Sequence, residues 1–162
     1  MDVFSSYLEW LYTGKTDLPN GADVAVTVDP SASPQQRFQA RKRAAAEYFD
    51  SLLDYAFFAN EYRDPKFMHS IIISMATVLH DYRYIPSAAQ VRTIYARLPA
   101  TSGVRRMVLD QYFHCQDPAK IRSQVREFPP EFFLDVWARF AAKTGCRPNP
   151  GSCGRYLQRA IE

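Results

Sequence analysis

Two long apolar runs, three residues apart, constrain this chain more than anything else in it. Residues 48–61 (YFDSLLDYAFFANE) and 65–82 (PKFMHSIIISMATVLHDY) are apolar nearly all round, with only Tyr62-Arg63-Asp64 between them. Ile71-Ile72-Ile73 favours a strand locally, but the length of each run favours a helix. Asp64 is a good N-cap and Pro65 suits the first helical position. Two buried helices on so short a connection form an antiparallel hairpin, and the rest of the chain must be built around it.

Ahead of the hairpin, apolar residues at 3, 4, 7, 8, 11 and 12 form a helical stripe. Asp2 caps its start, and Gly14 suits a left-handed stop after the last turn. Pro19, Asn20-Gly21, Pro30 and Pro34 punctuate residues 15–34 into a loop. Within it, the alternation Val24, Val26, Val28 is compatible with one short strand in the 22–29 stretch. Residues 35–47 carry Arg37, Arg41, Lys42 and Arg43 against Glu47, with alanines following the cations. That composition predicts a solvated helix running into the apolar segment.

Behind the hairpin, one-sided patterns predict four more helices. Val91, Ile94, Tyr95 and Leu98 mark the first, and Val104, Met107, Val108, Tyr112 and Cys115 the second. Asp117-Pro118 opens a short one with Ile121 and Val125. Pro129-Pro130 opens the last, with Phe133, Val136, Trp137 and Phe140, before Gly145. The expected fold class is therefore mainly all-α. Its divisions are a helical region over 1–83 with an insertion at 15–47, a helical extension over 84–145 and a flexible Pro/Gly-rich tail over 146–162.

At this point the residues resemble a known family. Phe4-x-x-Tyr7-Leu8-Glu9-Trp10-Leu11-Tyr12-Thr13-Gly14 resembles the BTB/POZ-domain helix that ends in Tyr-Thr-Gly, with the Glu-Trp form typical of fungal members. The segment from Leu52 to Tyr62 is similar to the family's next helix, and Asp64-Pro65-Lys66-Phe67 to the start of the one packed on it. Val91-x-x-Ile94-Tyr95, Ser102-Gly103-Val104-Arg105-Arg106 and Phe128-Pro129-Pro130-Glu131-Phe132 resemble the extension of fungal members. The resemblance covers roughly residues 2–140 outside the 15–47 insertion. It implies the C-terminal helical half of a BTB/POZ domain plus extension, with the mixed α/β N-terminal half absent. Adaptor or oligomerisation functions follow from it, through a protein partner or self-association on exposed apolar helix faces. A cullin-type ligase scaffold is a partner of the family, but the motif that binds it precedes the matched region, so no residue is carried over for it.

Composition narrows the function classes further. With 47% hydrophobic residues and 14% aromatics, the chain has the makings of a core. No window reaches transmembrane length, and Met1-Asp2-Val3-Phe4 does not begin a secretory signal. Three cysteines, Cys115, Cys146 and Cys153, form no CxxC pair and fit a reducing compartment, so cytoplasm or nucleus is expected. A net charge of +3 permits an acidic partner without demanding nucleic acid.

Candidate chemistry is sparse. His114 and Cys115 are adjacent, so their side chains diverge on a helix, and the expectation is a core cysteine beside a surface histidine. Asp110 and His114 are spaced for a surface ion pair. His69 lies near the start of a helix and His80 near an end, where the dipole favours its protonated form. Asp50 and Asp54 merely share a face. Cys146 and Cys153 are too sparse for zinc, and Gly14, Gly21, Gly103 and Gly145 stand alone, so there is no phosphate loop. No catalytic residue, metal or cofactor is expected.

Arg105 and Arg106 sit near a helix N-terminus, where the dipole disfavours cations, and a carboxylate from Asp81, Asp110 or Glu131 would account for them. Arg37, Arg41, Lys42 and Arg43 form the densest basic cluster. Nucleic-acid binding asks for a stronger excess or interleaved aromatics, so a solvated face is the favoured reading. Among the aromatics Tyr82, Tyr84, Tyr95, Tyr112, Phe132, Phe133 and Trp137, most belong to the core, and a few at helix edges can anchor a partner. The sequence thus points to a non-enzymatic protein–protein interaction module. A nucleic-acid-associated helical domain using residues 37–43 is the alternative.

Overall fold

The computed structural model describes residues 3–15, 18, 32–115, 121 and 123–144. Among these residues the fold is all helical. The valine alternation, the Asp2 cap, the opening at Asp117-Pro118 and the tail from Gly145 lie outside the described residues. The chain forms two compact units, Met1–Pro86 and Ser87–Glu162.

The first unit holds α1 (Val3–Thr13), α2 (Pro34–Glu61) and α3 (Pro65–Asp81). The insertion is helical from Pro34 onward, so the basic segment and the apolar run are one continuous 28-residue helix. Ser33 starts it with a reciprocal cap: its hydroxyl accepts from Gln36 N, and the Gln36 side chain accepts from Ser33 N at 2.8 Å. Ala45, Phe49, Leu52, Ala56 and Ala59 recur at helical spacing and are fully or almost fully buried. Three alanines in that row let the packed helix come close. Phe67, Ile71, Met75 and Val78 form the facing row on α3 and have no exposed surface.

Contrary to the expectation of a helix buried all round, α3 has an outer face, and Ile73 is exposed on it. Ile71 points to the core, and two residues further on the helix has turned by about 200°. The apolar triplet therefore splits between core and solvent.

The α2–α3 connection is a tight reversal. Asp64 N donates to Ala59 O at 3.0 Å and Arg63 N to Asn60 O at 3.3 Å, the pair of bonds that closes a Schellman motif. Its left-handed position, usually glycine, is Arg63 at φ 54°. Asp64 then caps α3, its Oδ1 accepting from Lys66 N at 3.0 Å and Phe67 N at 2.9 Å. At the end of α1, Gly14 takes φ 66° and Thr13 Oγ1 donates to Glu9 O at 2.7 Å, so Thr-Gly ends the helix there.

The second unit holds α4 (Ala88–Arg97), α5 (Gly103–Cys115), a 3-10 turn at Val125–Glu127 and α6 (Pro130–Thr144). The three α-helices pack pairwise. Ser87 and Gln90 cap α4 reciprocally, which leaves Gln90 buried but satisfied. Val91, Ile94, Val104, Val108 and Phe132 are completely buried, and Tyr112, Phe128 and Phe132 meet with ring centroids 4.9–5.4 Å apart.

Candidate functional site

The two faces of α1 divide its labour. Ser6, Tyr7 and Trp10 turn inward. Ser6 is buried, and its hydroxyl lies 3.0 Å from the Tyr55 phenol oxygen. Tyr7 is the centre of an aromatic cluster, with Phe58 and Phe67 at 5.1 Å, Tyr62 at 5.9 Å and a stacked Trp10 at 6.0 Å. Its hydroxyl donates to Asp64 Oδ2 at 3.3 Å. Loss of water around the ring, followed by the Asp64 carboxylate, pushes the Tyr7 phenol above its ordinary pKa.

The other side of α1 carries Phe4, Leu8, Leu11 and Tyr12, at positions i, i+4, i+7 and i+8. On a helix these fall within an arc of about 100°. All four are exposed: Phe4 by 48%, Leu11 by 52% and Tyr12 by 88%. Phe4 also meets Phe58 edge-on at 6.5 Å, and Phe58 stacks at 4.2 Å on Tyr62, itself exposed. The stripe thus continues from α1 onto the end of α2. Of the motif Phe4, Tyr7, Leu8, Trp10, Tyr12, Thr13 and Gly14, the structure places Tyr7 and Trp10, both half-buried, in the aromatic cluster on the inward side, Thr13 and Gly14 at the helix stop, and Phe4, Leu8 and Tyr12 on the open face. Leu11 joins that face, and Tyr62 is an edge aromatic that the sequence reading did not single out.

The basic cluster lies on the first three turns of α2. Residues 33–39 and 41–43 are exposed, and the helix enters the core only at Ala45. Arg37 Nε donates to Ala32 O at 2.9 Å. Phe38 stands among these cations, 64% exposed, and is a second aromatic that the sequence reading passed over.

In the second unit the arginines find other partners than the carboxylates expected. Arg105 lies over the Tyr95 ring, 4.4 Å from its centroid, and donates to Tyr95 O in the last turn of α4. Arg106 donates to Thr101 O at 3.1 Å. Asp110 pairs with Arg139 of α6 rather than with His114 on its own helix. The Tyr95 hydroxyl donates to Asp135 Oδ2 at 2.8 Å. Burial first, and then this bond, raise the Tyr95 pKa far above its ordinary value.

Cys115 is exposed, not a core cysteine, because α5 ends with its last residues turned to solvent. His80 sits 2.8 Å from the Asp81 carboxylate on the surface. Tyr84, Tyr95, Tyr112 and Phe132 are buried, whereas Trp137 and Leu134 are exposed on α6. Among the described residues no group of three His, Cys, Asp or Glu side chains is placed to hold a metal, and no helix is long and apolar enough to cross a membrane. Compared with known proteins, the chain matches no family model, no curated protein and no solved structure.

Proposed function

We propose that this chain is a protein–protein interaction module of BTB/POZ-like type, acting as an adaptor or oligomerisation element through the outer face of α1. The observation that carries this reading is the exposed row Phe4, Leu8, Leu11 and Tyr12 on a helix whose opposite side is fixed in the core. Apolar anchors at i, i+4, i+7 and i+8 are the form in which one helix engages a groove or a second helix. Covering them releases about 25 cal/mol for each Å² of apolar surface removed from water. The aromatic cluster beneath holds α1 in place, so little ordering cost falls on association. A cytoplasmic or nuclear setting belongs to the same proposal, as does a partner that is either another protein or a second copy.

Sedimentation of the purified chain tests it, with a Leu8→Glu/Leu11→Glu variant beside the wild type. Concentration-dependent association, or capture of a defined protein, that the double variant loses supports the proposal. A monomer that captures nothing, or association indifferent to the two glutamates, overturns it.

A further inference from the structure

A second surface lies at the opposite end of α2 and does not depend on the α1 reading. From Pro34 to Ala46 the helix carries four cations and no acid. In its first three turns residues 34–39 and 41–43 are exposed, and full burial begins at Ala45. Among the described residues, no carboxylate forms an ion pair with Arg41, Lys42 or Arg43. Arg41, Lys42 and Arg43 are three like charges in succession on this exposed stretch. An anionic partner would relieve their mutual repulsion.

The cations are not equivalent around the helix. At about 100° per residue, Arg41 falls about 60° to one side of Phe38 and Lys42 about 40° to the other. Arg43 lies about 140° away from Phe38, on the far side. One exposed aromatic with a cation on each flank makes a discrete face: Phe38 supplies an apolar anchor, and Arg41 and Lys42 supply charge-assisted hydrogen bonds. A membrane surface would call for a broad apolar face, and this stretch has a single large apolar side chain on it. A duplex would draw on all the cations through its field, Arg43 included. The mild net charge of +3 supplies little such field.

We infer that the exposed N-terminal part of α2 is a docking site for an acidic segment of a protein partner. That segment places an apolar residue on Phe38 and carboxylates on Arg41 and Lys42.

The test uses the full chain and two fluorescent peptides of equal charge. Both consist of aspartate and glutamate, and one carries a central phenylalanine. Binding is read by anisotropy at fixed salt, beside a labelled DNA duplex. The phenylalanine peptide is expected to bind more tightly than its charge-matched control and than the duplex. Phe38→Ala is expected to weaken it about tenfold, as loss of an aromatic anchor does. Arg41→Glu/Lys42→Glu abolishes binding, and Arg43→Glu leaves it within about twofold because that side chain faces away. The α1 variant Leu8→Glu/Leu11→Glu leaves peptide binding intact, which separates this site from the α1 surface. Equal affinity for the two peptides, an Arg43→Glu loss as large as that of the double variant, or tighter binding to the duplex overturns the inference. Circular dichroism confirms that each variant keeps its helix content.

Discussion

Tyr7 donates to one oxygen of Asp64 at 3.3 Å while the other oxygen caps α3 through the Lys66 and Phe67 amides. One carboxylate therefore ties three helices together: it follows the close of α2, starts α3 and holds the inward face of α1. Asp64→Ala removes both the cap and the Tyr7 bond, with an expected loss of about 2 kcal/mol in urea unfolding. Asp64→Ser keeps the cap and loses less. Tyr7→Phe lowers the urea midpoint of the wild type and lowers it less in the Asp64→Ala background, because the two side chains share one interaction.

Neighbouring isoleucines on α3 should respond in opposite ways. Ile71 has no exposed surface, and Ile71→Ala is expected to destabilise by about 2–5 kcal/mol through lost burial and the cavity left behind. Ile73 faces solvent, and Ile73→Glu is expected to change stability by no more than about 0.5 kcal/mol. Thermal unfolding of both variants checks the side of α3 that meets α2.

Much of this architecture was legible in the sequence because local chemistry dictated it. Asp64-Pro65 marks the start of α3 through a side-chain cap and a residue that needs no amide partner, and Thr13-Gly14 marks the end of α1 in the same local way. The buried and exposed halves of the apolar segments were less legible. An alphabet in which Phe4, Tyr7, Leu8 and Leu11 are all apolar does not distinguish a core face from an open one. Side-chain partners were least legible of all. Asp110 lies one turn from His114, yet the longer side chain of Arg139 on a packed helix reaches it first. Arg105 was expected to need an acid and instead serves a carbonyl and a ring.

Tyr95 links α4 to α6 as a hydrogen-bond donor to Asp135, so only its neutral phenol makes that bond. Its pKa is raised in the folded chain, hence folding favours the protonated form. The stabilisation is fully present below the unfolded tyrosine pKa of about 10 and falls as pH rises above it. Tyr95→Phe is expected to lose about 1 kcal/mol at neutral pH. Its stability should also decline less steeply between about pH 10 and 11 than that of the wild type. Urea midpoints across that range decide the point, and parallel curves for the two proteins would refute it.

Arg63 occupies the left-handed position that closes α2, at φ 54°, and its amide donates to Asn60 O. A side chain there brings Cβ close to the following carbonyl, a strain of roughly 1–2 kcal/mol that glycine avoids. The Schellman bonds use only backbone atoms, so replacing the side chain leaves them intact. Glycine also gives the unfolded chain more freedom, which offsets part of the gain. The net expectation for Arg63→Gly is a stabilisation of about 0.5–1 kcal/mol. Arg63→Ala should not stabilise, because alanine keeps the Cβ that causes the strain. Chemical unfolding of the two variants separates relief of backbone strain from loss of the guanidinium: if alanine stabilises as much as glycine, the gain comes from the charge and not from the turn.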